Sequence, residues 1–232
     1  MTSLAPVAGR FEGYRIGHAL AALMVAFALS LPGALLLWTF GSLLLAADGG
    51  PAFALALGDA LRTIAKLLLA ASLLARLLDR RGVAVALFGG DEQLLGYARR
   101  ELLKFAAIFV PLMLLAALNG HDHAPFSNRE SLGRLSFSLA MISGSLFMLR
   151  LFKRESPLMR RFGATAQRSW VAGLHGIWFP ALVAAPLALA AFSARGYFLA
   201  AGYFFSLTLT TFFPVLAAGL CYGLLALWVQ VQ

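Results

Sequence analysis

The sequence predicts an all-α fold, a polytopic membrane helical bundle of about six transmembrane helices with a short interfacial helix. Three observations carry that expectation. Hydrophobic residues fill 61% of the 232 positions and charged residues only 12%. With a mean hydropathy of +0.83, the chain lies outside the usage of soluble domains. The apolar residues are gathered into runs approaching or exceeding the roughly 20 residues a helix needs to cross the hydrocarbon core. Finally, no run alternates with the period of two that a membrane barrel requires.

Six spans follow in order: His18 to Ala46, Ala54 to Leu78, Leu103 to Leu118, Leu132 to Phe152, Val171 to Ala194 and Tyr197 to Val229. Residues 1–17 form a cytoplasmic N-terminal segment and residues 18–232 the transmembrane domain. The first span carries Pro32-Gly33, the fifth Pro180 and Pro186, and the sixth Pro214. Membrane helices tolerate these residues because neighbouring helices re-satisfy the freed carbonyls. Arg10 and Arg15 precede an apolar run as in a signal peptide, but the uncharged stretch from Ala19 to Ala47 is too long for one. It is expected to be a retained helix.

The formal net charge of +9 does not point to nucleic acid, since the chain has no long basic tract and few exposed segments to carry one. Membrane lipids are the expected partners of the basic residues. A single cysteine, Cys221, excludes an intrachain disulfide.

Orientation follows from the loops, because positive loops stay on the cytoplasmic side. Arg76, Arg80, Arg81, Arg99, Arg100 and Lys104 flank the second loop, and Arg150, Lys153, Arg154, Arg160, Arg161 and Arg168 flank the fourth. The alternate loops hold only Arg129, Arg134 and Arg195. Both termini are therefore expected in the cytoplasm, with Trp170 and Trp228 at interfacial levels.

Between the second and third spans, Asp91 and Glu92 open a helical pattern that Arg99, Arg100 and Lys104 close, as the helix dipole favours. Leu94, Leu95, Ala98 and Leu102 share one face, so the segment suits the headgroup layer. A catalytic reading would use Asp91 and Glu92 as acid and base. Adjacent helical carboxylates diverge by about 100° and cannot readily flank one bond.

Asp59, Arg62 and Lys66 recur at i, i+3 and i+7 within the second span, on one face. Either they line a polar groove or ion path, or the cationic stems snorkel to the outer surface while Asp59 pairs with Arg62; the second is preferred. His121-Asp122-His123 offers two metal donors without a visible third. His175 reads as a packing histidine. Ser136, Ala140 and Gly144 recur every four residues, and Gly219 with Gly223 makes G-x-x-x-G, spacings that allow helices to approach closely. No phosphate loop, G-x-S-x-G or H-E-x-x-H is present, so no enzyme activity, catalytic residue, metal or cofactor is expected.

These residues also carry a family resemblance. LFGGDEQLLGYARRELLKF resembles the "HFGW" loop and following basic helix of the large, multi-helix, MscK-like branch of the MscS-like mechanosensitive channels. SLGRLSFSL, IWFPALVAAPLALAAFSARGYF and GDALRTIAKLLLAASLLARLL are similar to further stretches of that branch, and together the matches cover most of Ala54 to Val229. Gly90 stands where the family has Trp. The family's long periplasmic region, its Gly/Ala-rich pore helix and its cytoplasmic vestibule have no counterpart in this sequence.

The resemblance implies the bacterial inner-membrane domain of an osmotic release channel, homoheptameric in related proteins, whose peripheral helices couple membrane tension to a pore lying outside this segment. The family's pore-lining residues cannot be carried onto any position here. Arg62, Lys66, Arg80, Arg81, Arg99, Arg100, Trp170 and Trp228 are the expected lipid-interface or tension-coupling residues. A complete six-helix transporter, or a membrane scaffold subunit, fits the six spans as well.

Overall fold

The computed structural model describes residues 5–47, 51–79, 92–120, 129–153, 155–157, 159 and 175–231. They form six α-helices: α1 Ala5–Ala46, α2 Ala52–Leu77, α3 Glu92–Gly120, α4 Arg134–Phe152, α5 His175–Ala194 and α6 Phe198–Val231, with no strand among the described residues. A π turn, Arg129–Gly133, leads into α4.

Five of these are long and apolar enough to cross a membrane: the Ala21–Ala46 part of α1 and most of α3, α4, α5 and α6. The sequence predicts six. The one that drops out is α2, whose 26 residues give about 39 Å of helix, ample for a ~30 Å core. Its polar content, not its length, sets it apart, for it carries Asp59, Arg62, Lys66 and Arg76.

Two boundaries also differ from expectation. α1 starts at Ala5, well before His18, and its 42 residues extend about 63 Å. The amphipathic stretch after residue 91 is not a separate interfacial helix; it forms the first turns of α3, which runs unbroken through Pro111. Its expected apolar face is real, with Ala98 and Leu102 buried. That face packs on protein, and burying it favours one continuous helix over two.

α1 and α2 form an antiparallel pair whose backbones touch at glycine. A Cβ on Gly41 would lie 2.6 Å from the Gly58 carbonyl oxygen, and one on Gly58 2.8 Å from that of Gly41. Further along, Pro32 has no N–H for the Ala28 carbonyl, and its ring disturbs the turn before it. α2 serves the oxygens there: Arg76 Nη2 donates to Leu29 O at 3.2 Å and Ser72 Oγ to Ser30 O at 3.5 Å.

The core lies where α2, α3, α4, α5 and α6 meet, around Ile64, Leu67, Phe109, Met113, Phe137, Met141, Ala190 and Ala201. Aromatic rings tie three helices together. Phe105 of α3 stacks on Phe147 of α4 at 4.6 Å, and Phe205 of α6 meets both Phe109 and Phe137. Such ring pairs add about 0.5–1.5 kcal/mol beyond their burial.

α4 and α5 are joined by serines. Ser145 Oγ donates to Val183 O at 2.9 Å, and the Ser138 and Ser193 hydroxyls reach Ala190 O and Arg134 O at 3.4 and 3.5 Å. Ser136, Ala140 and Gly144 are buried as their spacing predicts, with Gly144 facing Phe105 and Pro186. The G-x-x-x-G of α6 is split: Gly223 is buried, but no atom lies within 4 Å of a Cβ built on Gly219, so Gly219 makes no close helix contact among the described residues.

α5 ends in a Schellman motif. Tyr197 N–H bonds Phe192 O, Gly196 N–H bonds Ser193 O, and Gly196 takes φ +101°. The Phe192 and Tyr197 rings meet across it at 6.2 Å, the hydrophobic contact that accompanies this cap. The chain thus reverses directly into α6.

Candidate functional site

The polar strip of α2 is the most unusual feature of the helical bundle. Helical spacing puts Asp59, Arg62 and Lys66 on one face, and Trp38 of α1 lies alongside it. The Arg62 guanidinium sits 4.5 Å from the centroid of the Trp38 ring and the Lys66 ammonium 5.6 Å. A cation over an indole is stabilised by the ring quadrupole, by about 0.5–2 kcal/mol depending on desolvation.

The glycine contact explains how the helices come so close. The Arg62 stem crosses α1 at Gly41, where its Cγ lies 3.1 Å from the position of a Cβ. From there the guanidinium lies over Trp38, three residues further along α1. Asp59 and Arg62 are half-buried and Lys66 is exposed. The strip therefore lies in the seam between α1 and α2, open on one side.

A second polar group lies at the opposite end of α2. Arg99 of α3 approaches Asp79 at 3.6 Å, with both side chains about half exposed at 43% and 50%. An ion pair so open to solvent contributes little. The Arg99 Nε is buried without a hydrogen-bond partner. Tyr97 Oη donates to Arg150 O at 3.3 Å, satisfying a carbonyl in the last turn of α4 that has no intrahelical partner. Glu101, on α3 itself, is buried and accepts from Lys104 Nζ one turn on at 2.7 Å.

The structure thus brings Arg62 and Lys66 together and places Arg99 at a helix–helix junction, while Arg100 is exposed on the same helix. Arg80, Arg81 and Trp170 lie outside the described residues, as do Asp91, His121-Asp122-His123 and the side chains of Glu92, His175 and Trp228. Among the described residues no three His, Cys, Asp or Glu side chains cluster in a way that would hold a metal. Trp38, Gly41, Gly58, Tyr97 and Asp79 are partners that the local sequence pattern does not single out. Gly41 and Gly58 had a sequence signal, a glycine close to each facing end of two spans joined by a short connection.

A lipid-exposed bundle with cationic groups at its seams suits several membrane functions, and comparison with known proteins narrows them. The family model described as mechanosensitive ion channel inner membrane domain 1 matches residues 1–232, the whole chain. The chain belongs to this family. It is a multi-pass inner-membrane domain of the mechanosensitive channels, a channel domain and not a member of an enzyme class. No curated protein and no solved structure matches it. In this channel domain, the helix that carries the charged strip is the one of the six without an apolar stretch of membrane-crossing length and low charge.

Proposed function

We propose that this domain is the lipid-facing, tension-coupling part of a channel of the MscK-like branch, with the conduction path built by other segments of a longer, homo-oligomeric polypeptide, heptameric as in the related channels. The observation that carries the reading is the distribution of exposed apolar side chains. Met24, Leu36 and Leu43 on α1, Ile177 on α5, and Tyr203, Val215 and Tyr222 on α6 are each more than two-thirds exposed. Lipid is the medium in which such side chains carry no penalty.

Tension favours whichever state occupies more area in the bilayer plane, and a domain couples to tension through differential contact with lipid in its states. α1, far longer than the hydrocarbon is thick, and α6, with Tyr203, Phe204, Leu207, Val215 and Tyr222 exposed, provide such contact. The cations Arg76, Arg99, Arg100 and Arg150 gather at one end of the helices, and the positive-inside rule makes that end cytoplasmic, with both termini on the same side.

The described helices offer no polar face running the length of the bundle. The charged strip of α2 carries both signs and is covered on one side by Trp38, and an apolar lining would dewet and close. Residues 1–232, reconstituted into liposome patches, should stay electrically silent as suction approaches the lytic limit. Reproducible tension-gated steps would show that these helices build a pore themselves. Substrate-coupled flux without tension would instead establish the transporter reading, with Asp59, Arg62 and Lys66 around its site.

A further inference from the structure

α2 packs antiparallel along α1, whose Ala21–Ala46 stretch is long and apolar enough to cross a membrane, and that pairing would carry the cations of α2 to hydrocarbon depth. Along the helix, Lys66 lies about 15 Å and Arg62 about 21 Å from Arg76. With Arg76 at one edge of a ~30 Å hydrocarbon layer, Lys66 is near its middle and Arg62 roughly 9 Å below the other edge. Long cationic side chains at such depth normally snorkel, each to its nearer interface.

They do not diverge here. Both heads converge on the indole of Trp38, at 4.5 and 5.6 Å. The Arg62 stem passes Gly41 and its guanidinium lies over Trp38, on the side away from the Ala46–Ala52 end of the helix pair. Two like charges brought together in a low dielectric repel, and the ring quadrupole offsets only part of that cost. Asp59 on the same face supplies one negative charge against two positive ones. One further anion would bring the strip to neutrality, and the exposed Lys66 leaves the seam open to receive it.

We propose that Arg62, Lys66 and Trp38 form a binding site for the phosphodiester of a phospholipid from the leaflet at the Ala46–Ala52 end. Guanidinium and ammonium groups are the natural donors to phosphate oxygens, and a phosphodiester carries the single negative charge required. The acyl chains then descend past Leu35, one turn along α1 from Trp38 and 50% exposed. Seating the phosphate at this level draws one headgroup several ångströms into the bilayer and thins it locally. A change in bilayer thickness under tension then bears directly on the α1–α2 pair; this last consequence rests on the channel reading, whereas the lipid site does not.

The test is native mass spectrometry of the full chain in detergent, titrated separately with phosphatidylglycerol, a phosphate-free galactosyl diglyceride and inorganic phosphate. One phosphatidylglycerol should be retained tightly, and Arg62→Gln/Lys66→Gln should weaken it at least tenfold. Lys66→Arg, which keeps the charge, should retain it. Circular dichroism on each variant identifies any that fail to fold, and Trp38→Phe then provides an independent partial loss.

Equal retention by the double glutamine variant, or equal retention of the galactolipid, overturns the proposal. So does retention of inorganic phosphate at the same concentration, which would make this a site for a free anion. Dimers of the chain that vanish in the double variant would overturn it in favour of a second copy. Because lipid retention is read without tension, its failure is distinguishable from conduction in the liposome patches.

Discussion

Gly41 of α1 and Gly58 of α2 meet backbone to backbone, each lacking room for even a methyl group against the other's carbonyl oxygen. That contact sets the spacing of the helix pair and hence the reach of Arg62 to Trp38. Alanine at Gly41 must push the helices apart or strain the seam, at a cost of about 1–3 kcal/mol, although alanine gains up to ~1 kcal/mol in helix propensity. Gly219→Ala, which meets nothing, keeps the propensity gain. Thermal unfolding in detergent should show Gly41→Ala lowered and Gly219→Ala unchanged or raised; the same sign for both would refute the close-contact account.

Arg76 and Pro32 should be energetically coupled. The Arg76 guanidinium reaches Leu29 O in the turn that Pro32 disturbs, so Arg76→Ala should cost about 1 kcal/mol. Pro32→Ala restores the backbone N–H and closes the turn. In that background the cost of Arg76→Ala should shrink by half or more, and a double-mutant cycle with no coupling would show that Arg76 acts elsewhere.

Gly196 holds φ +101° at the end of α5, a conformation that penalises any side chain. Gly196→Ala should destabilise the α5–α6 reversal by about 1–2 kcal/mol. An unchanged melting temperature would mean that the turn relaxes to another form.

Ser145→Ala removes the hydroxyl that bridges α4 to Val183 O. Interhelical bonds of this kind in membranes contribute about 0.6 kcal/mol and at most ~1.7. A small loss, comparable with that of Ser138→Ala, is expected by reversible unfolding; a loss several times larger would point to a cavity or backbone shift in place of the bond itself.

The topology is tested with cysteine in a Cys221→Ser background, since Cys221 is itself exposed. Cysteines at Gln93 and Asn128 should label oppositely with an impermeant maleimide in intact cells, Asn128 from outside and Gln93 only after permeabilisation. Equal labelling of both would sink the arrangement with cytoplasmic termini.

The sequence by itself determined the helical class, the six helices and their order. Apolar runs of bilayer length in a chain with few charges have no other way to satisfy their backbone. It also placed Arg62 and Lys66 on one face and predicted the burial of Ser136, Ala140 and Gly144, because helical periodicity is local. What local pattern could not decide was the partner across each seam. That Gly41 touches Gly58 while Gly219 touches nothing, that Arg62 and Lys66 turn to Trp38 and not to the nearer surface, and that the stretch after residue 91 continues straight into α3 all depend on helix–helix distance and rotation. Those are set by side-chain packing between elements far apart in sequence, and only the folded bundle specifies them.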